Sequence, residues 1–284
     1  MEINGKTKLL GLIGNPVEHT LSPLMHNFMA ERTDNNMVYV PFHVEKGQLE
    51  DAVKGAYALN LLGVNVTIPY KSDVMQYLVE IDDLAAKIGA VNTLVRKENG
   101  FKGYNTDMAG LYRAMQSDGV EIRGREVLIL GAGGVARAVA LMLLEKGASG
   151  VTILNRTLER ASAIAEEVNG LAGYGFARTL ALSDHGKLVG RYPVIQATSV
   201  GMHPNTDCAV IEDEDFYEKV EIGYDLVYNP AVTKFMALTE AAGGRAYNGA
   251  KMLLYQGIIA YELWNDTVIS EELAEEVYGK MIKA

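Results

Sequence analysis

The sequence predicts an α/β fold in two domains, on three observations. Short apolar runs alternate with helical patterns along most of the chain, which is how strands and helices of an α/β sheet read in one dimension. The alternation pauses around Asp107 and then restarts as a second series. The 284 residues, 49% of them hydrophobic, are enough to bury two cores of ordinary size.

The first series runs "KLLGLIG", "SPLMHNFMAER", "VYVPFHV", "QLEDAVKGAYAL", "GVNVTIP" and "SDVMQYLVEI", strand and helix by turns. "GAVNTLVRK" and "GFKGYNTD" follow, and then a helical segment, "DMAGLYRAMQSDG". The second series has strands "VLIL", "VTIL", "PVIQATS" and "EIGYDLVY", short and apolar as buried parallel strands are. Helical patterns such as "TLERASAIAEEV" and "AVTKFMALTEAAGG" separate them. "AKMLLYQGIIAYELW" then carries apolar residues at helical spacing, and a charged helix ends the chain.

Composition excludes several classes of function. With 26 Lys and Arg against 36 Asp and Glu the net charge is −10, which argues against a general nucleic-acid or anionic-membrane binder. An anionic ligand must therefore find a locally basic pocket. A lone cysteine, Cys208, rules out an internal disulfide and suits a reducing cytosol. No apolar run approaches the roughly 18 residues of a membrane span, and "LLGLIG" is too short and poorly flanked for a signal peptide. The expectation is a cytoplasmic protein. Five histidines, at 19, 26, 43, 185 and 203, show no i,i+4 pair and no cysteine cluster, so no metal site is expected.

The strongest local signal is "VLILGAGGVARAVALMLLEKG", where a strand over 127–130 runs straight into the run Gly131, Ala132, Gly133, Gly134, Val135 and Ala136. This is the G-x-G-x-x-A form of a dinucleotide fingerprint. Gly131 permits the tight turn, Gly133 lets backbone approach a pyrophosphate, and Ala136 allows close packing of helix on strand. Val135, Val139, Met142 and Leu143 fall on one helical face, and Gly147 ends the helix. The next strand, "VTIL", ends not in the acid that would bind ribose hydroxyls but in Asn155, Arg156 and Thr157, with Arg160 three residues on. Guanidinium groups there match a ribose 2′-phosphate, so the expected cofactor is NADP rather than NAD. The alternative is that Thr157 merely caps the helix and both arginines are solvated.

In "GVNVTIPYKSDV" an apolar strand and a proline lead directly to Lys71, at what reads as the start of a helix. The macrodipole disfavours a cation there, which makes Lys71 a functional candidate. "NPVEHTLSPLMHN" puts Ser22 at an N-cap and Pro23 at the first helical position. Thr20 adds a second hydroxyl, and together they make either a cap or a neutral cup for a small carboxylate. Asp107 suits the first turn of its helix.

Together the motifs "HTLSPLMHN", "NVTIPYK", "GAVNT", "GYNTD", "GAGGVARA", "NRT", "ATSVGM", "DLVYNP" and "NGAKMLLYQG" resemble the shikimate dehydrogenases over nearly the whole chain. The resemblance implies an N-terminal α/β substrate-binding domain and a Rossmann-type NADP-binding domain separated by a cleft. Residues 1–106 and 248–284 would form the first, with the C-terminal helices returning to it, and residues 107–247 the second. Lys71 and Asp107 would be the catalytic pair, and Thr20 and Ser22 would hold the substrate carboxylate. Thr67, Asn92 and Gln256 would bind ring hydroxyls, with Tyr228 near the substrate and Thr198 and Ser199 at the cofactor. Gln256 stands out independently, as a polar residue inside an apolar helix.

The implied activity is reversible NADPH-dependent reduction of 3-dehydroshikimate to shikimate by a monomer or homodimer. Oxidising a secondary alcohol removes a hydride from carbon and a proton from oxygen, so a base must stand near that oxygen, and Lys71 is the candidate. The chain departs from the family at Thr20, where serine is common, and at Val135. A quinate/shikimate dehydrogenase with broader substrate or NAD use is the nearest competing reading, since the methyl group of Thr20 bears on that preference. A non-catalytic nucleotide sensor is a second, which the intact Lys71 and Asp107 argue against.

Overall fold

The computed structural model describes residues 3–283. From the N-terminus the elements are β1 (Lys8–Gly14), α1 (Ser22–Arg32), β2 (Met37–His43), α2 (Leu49–Ala58), β3 (Gly63–Val66), β4 (Glu80–Ile81), α3 (Asp83–Ile88), β5 (Thr93–Lys97), β6 (Gly100–Tyr104) and α4 (Thr106–Ser117). They continue with β7 (Glu126–Leu130), α5 (Gly134–Glu145), β8 (Gly150–Asn155), α6 (Leu158–Ala172), β9 (Ala177–Ala181), β10 (Tyr192–Gln196), α7 (Glu214–Tyr217), β11 (Val220–Asp225), α8 (Lys234–Ala241), β12 (Arg245–Tyr247), α9 (Ala250–Asn265) and α10 (Glu271–Met281).

The chain forms two compact units, Met1–Leu111 with Leu253–Ala284, and Tyr112–Met252. Both crossings fall inside helices, α4 and α9. The boundaries expected from sequence, 106/107 and 247/248, each lie a few residues before these crossings, close to where the two helices begin.

The first unit is built on a mixed sheet in the order β2-β1-β3-β5-β6-β4. β1 pairs parallel with β2 and β3, whereas β5 runs antiparallel to β3 and to β6. The C-terminal ends of β1, β3 and β6 and the N-terminal end of β5 therefore share one edge of the sheet. α9 is locked on at the middle of the sheet, where the Trp264 indole donates to the Leu94 carbonyl at 2.9 Å. A Cβ on Gly63 would come within 1.9 Å of that indole nitrogen, so only glycine permits the approach.

"SDVMQYLVEI" is not the helix its spacing suggests. It makes a five-residue 3₁₀ turn, Asp73–Tyr77, followed by the short strand β4, which pairs with β6. The apolar residues Val74, Met75, Tyr77, Leu78 and Ile81 all join the core beneath this sheet, and so satisfy burial without helical periodicity.

The second unit is a parallel sheet in the order β12-β11-β10-β7-β8-β9. Counted from β7, this is the doubly wound order 3-2-1-4-5-6, whose strand order reverses between β7 and β10. The edge strands β9 and β12 were absent from the sequence reading: "ARTLA" and "RAY" are half-exposed and lack the apolar runs of the central strands.

Candidate active site

In the first unit, segments far apart in sequence meet along the shared sheet edge. Thr20 and Ser22 follow β1, Thr67 and Lys71 follow β3, Asn92 precedes β5, and Asp107 follows β6. Lys71 lies in a turn before the 3₁₀ segment, not in the first turn of an α-helix as its sequence context suggests, so no α-helix macrodipole opposes its charge. Its backbone is pinned by Val91 N–H, which donates to the Lys71 carbonyl at 2.8 Å. Its ammonium donates to Asp107 Oδ2 at 2.7 Å. Both side chains stay partly open to solvent, 32% for Lys71 and 21% for Asp107, so each can reach a ligand.

Asp107 is held in place from below. Asn92 Oδ1 accepts from Thr106 N–H at 2.7 Å, and Asn105 Oδ1 accepts from Met108 N–H at 3.2 Å, so two buried amides cap α4 around the aspartate. The Asn92 Oδ1 also accepts from the hydroxyls of Thr93 and Thr106, at 3.1 Å each. Its carbonyl is thus saturated, while its NH₂ makes no hydrogen bond among the described residues and is the free end offered to a ligand. Behind it, buried Asn65 donates to the Asn92 main-chain carbonyl at 3.1 Å and to Thr93 Oγ1 at 3.0 Å, and accepts from the Tyr39 hydroxyl at 2.7 Å. Tyr39, Asn65, Thr93, Asn105 and Thr106 were missed from sequence. The one usable signal was Asn65 inside "GVNV", a polar side chain in a strand buried at all four positions.

Ser22 is not an N-cap. That position belongs to Leu21, without a side-chain cap, and Ser22 and Pro23 open the helix itself. The capping explanation of the Ser22 hydroxyl therefore falls. The two hydroxyls act together: Thr20 Oγ1 donates to Ser22 Oγ at 3.1 Å and accepts from Ser22 N–H at 3.2 Å. Thr67 Oγ1 has no partner among the described residues. Gln256 does have one, since its NH₂ donates to the Leu253 carbonyl of its own helix at 2.9 Å. A lack of partners thus no longer singles it out. Position does: a Cβ on Gly110 would come within 2.5 Å of Gln256 N, so α4 presses against α9 three residues after Asp107.

The second unit carries the remaining candidates at the C-terminal edge of its parallel sheet. Gly131, after β7, has φ of 109°, and a Cβ there would lie 2.5 Å from Thr198 Cγ2. Gly133 is the N-cap of the 12-residue α5 and offers no side-chain cap, and Cβ atoms on Gly133 or Gly134 would meet nothing within 4 Å. Bare backbone at a helix N-terminus, flanked by open space, suits the phosphates of a dinucleotide. Ala132 lies within this turn, and Ala136 is fully buried. Val135 is 48% exposed while Val139, Met142 and Leu143 are buried, so it does not share their face.

Asn155 NH₂ donates to the Thr157 carbonyl at 2.8 Å and shapes the turn after β8. Thr157 stands at the N-cap of α6, yet its side chain makes no capping bond. Arg156 and Arg160 are exposed and have no hydrogen bond or ion pair among the described residues. Arg137 on α5 is instead tied to Glu167, which holds its pKa up. Thr198 and Ser199 follow β10, and exposed Tyr228 follows β11. Beneath them lies Asp225, fully buried, whose carboxyl burial pushes up to about 6. No group of His, Cys, Asp and Glu able to hold a metal occurs among the described residues.

Two family models match the chain, the shikimate dehydrogenase substrate binding domain over residues 12–94 and shikimate / quinate 5-dehydrogenase over residues 113–204. Shikimate dehydrogenase (NADP⁺) of Carboxydothermus hydrogenoformans is 42% identical over 265 residues, which cover 93% of this chain and 94% of that one. A crystal structure of shikimate dehydrogenase in complex with NADP⁺ superposes with a TM-score of 0.88 at 37% identity, covering 99% of this chain and 98% of that one. Shikimate 5-dehydrogenase from Listeria monocytogenes, in complex with shikimate and NAD, superposes with a TM-score of 0.89 at 32% identity, covering 98% of each chain.

Proposed function

The chain belongs to the shikimate dehydrogenase family, and on that premise we propose that Lys71 and Asp107 carry the proton in its reaction. It is an NADP-dependent oxidoreductase acting on a CH–OH group, and the family's reaction is the reversible reduction of 3-dehydroshikimate to shikimate in aromatic amino acid biosynthesis. The observation that carries the site assignment is the 2.7 Å ion pair of Lys71 with Asp107, open to solvent among uncommitted polar groups.

NADPH, when bound, supplies the hydride. The residues that would hold it are the backbone of Gly131 to Ala136, with Arg156 and Arg160 at the ribose phosphate, the turn Asn155–Thr157, and Thr198 and Ser199. In reduction the Lys71 ammonium gives its proton to the carbonyl oxygen as that oxygen becomes an alkoxide, and in oxidation the free amine takes it back. Asp107 aims the amine through their 2.7 Å hydrogen bond. Thr20 and Ser22 offer hydroxyl donors to the substrate carboxylate. Asn92, through its free NH₂, with Thr67 and Gln256 orients the ring hydroxyls, and Tyr228 is counted with the substrate residues. In this reading the substrate domain comprises residues 1–106 and 248–284, and the nucleotide domain residues 107–247. A cytoplasmic location, supported by the single cysteine, and a monomer or homodimer complete it.

The test is the near-ultraviolet absorbance of reduced nicotinamide, with shikimate or quinate and each of NADP and NAD in turn. Rapid reduction with shikimate and NADP alone is the expected result. Comparable rates with quinate or NAD would move the protein to a broader specificity, and silence in all four mixtures from protein that binds NADPH would overturn the assignment.

A further inference from the structure

Gln196 and Asp225 end adjacent parallel strands, β10 and β11, and stand opposite each other in register. Both are completely buried. Gln196 Oε1 accepts from Thr198 N–H at 2.6 Å and from the Thr198 hydroxyl at 2.7 Å. Its NH₂ donates to the Val200 carbonyl at 3.0 Å and to Asp225 Oδ1 at 3.1 Å. The amide is therefore used on every side, and the turn that bears Thr198 and Ser199 is wrapped around it. Asp225 Oδ1 also accepts from Val227 N–H at 2.9 Å, and Oδ2 accepts from the Thr233 hydroxyl at 2.6 Å. Those two bonds fix both ends of the segment that carries Tyr228.

A buried carboxylate without a cationic partner is costly, and an asparagine of the same shape would avoid the charge. The charge does one thing that asparagine cannot. Both carboxylate oxygens accept, so Asp225 takes the Gln196 NH₂ and the Val227 N–H on one and the Thr233 hydroxyl on the other, while Thr198 N–H and the Val200 carbonyl fix which way the Gln196 amide faces. An amide at position 225 has a single accepting end, so it could not accept from Gln196, Val227 and Thr233 together.

We propose that Gln196 and Asp225 form a positioning pair, in which the carboxylate ties the amide to Val227 and Thr233 and so sets together the cofactor loop at Thr198–Ser199 and the substrate loop at Tyr228. The inference rests on the reading that those loops meet NADPH and shikimate. It differs from a merely structural role in sign, because removing the charge should strengthen the fold while it weakens binding.

The experiment compares Asp225→Asn, Thr233→Val and Thr233→Ser with Arg156→Ala, by calorimetric binding of NADPH, KM for shikimate, and melting temperature. Loss of one aligned hydrogen bond corresponds to about tenfold in affinity. Asp225→Asn should weaken NADPH by about that factor and raise KM for shikimate, while it melts no lower than the parent at pH 7. Thr233→Val removes one of the carboxylate's donors without changing volume, so it should act in the same direction on KM. It also keeps the test alive should Asp225→Asn fail to fold. Thr233→Ser should restore the parent values. If Arg156→Ala loses NADPH affinity while Asp225→Asn and Thr233→Val bind and turn over as the parent does, the positioning role is wrong and the cofactor reading stands. If Arg156→Ala also binds normally, the cofactor reading fails and takes this inference with it.

Discussion

Lys71 Nζ lies 2.7 Å from Asp107 Oδ2, an ion pair between the turn after β3 and the first turn of α4. Neither residue is needed to cap α4, since Asn92 and Asn105 already do so. Removing either should therefore spare the fold and strike the chemistry. Lys71→Ala is expected to lower kcat by about 10²–10⁴, the range for a positioned general acid–base group, with little change in KM for shikimate. Steady-state kinetics at saturating NADP check this. Unchanged turnover would take the lysine out of the mechanism.

Arg156 and Arg160 have no partner among the described residues to lose, so their replacement should cost no stability. A charge-assisted bond to a ribose phosphate contributes about 1.5–3 kcal/mol, which corresponds to roughly 10–100-fold in affinity. Arg156→Ala and Arg160→Ala should each weaken NADPH toward that extent and leave NADH unaffected. Equal losses for the two cofactors would show that the arginines do not read the 2′-phosphate.

The cofactor turn was legible in the sequence because its chemistry is local: a strand, three small residues and a helix follow one another without a gap. The sequence marks Lys71 by an apparent helix start, but it sits in a turn, and what distinguishes it in the fold is the aspartate 36 residues away. The supporting polar network was not legible. Asn65, Gln196 and Asp225 find partners across strands, and a polar residue in a strand reads as an exposed one until register is known. Likewise Ser22 looks like a cap because the spacing permits it, and only the backbone shows that the helix starts one residue earlier than a Ser22 cap requires.

Asp225 gives stability a pH dependence of defined sign. Its carboxyl titrates about 6 in the fold, against an ordinary 3.8, because burial disfavours the charge. A raised value means that stability present below 3.8 is lost as pH rises through 6, by about 3 kcal/mol in all. Asp225→Asn lacks this slope. Urea unfolding across the interval should show the parent losing ground to the variant as pH rises, and a difference that stays flat would mean that the carboxylate is not desolvated as described.

His26 produces the opposite slope from the other domain. It is fully buried, stacked on Tyr39 with ring centroids 4.3 Å apart, and neither ring nitrogen has a hydrogen-bond partner among the described residues. Burial holds its pKa down, from 6.5 to about 3, so the ring is neutral in the fold and takes up a proton on unfolding in mild acid. A lowered value means that stability present above 6.5 is lost as pH falls toward 3. At pH 4 the loss amounts to about 3 kcal/mol, from roughly 2.5 units at 1.36 kcal/mol each. His26→Leu keeps an apolar side chain of similar reach, removes both unsatisfied nitrogens, and should resist acid better than the parent by about that amount. Because His26 stacks on the ring whose hydroxyl anchors Asn65, the same variant also measures the network: a raised KM for shikimate at pH 7, with stability intact, would trace the effect through Tyr39 to Asn92. Acid unfolding curves that coincide for the two proteins would instead place the proton uptake elsewhere.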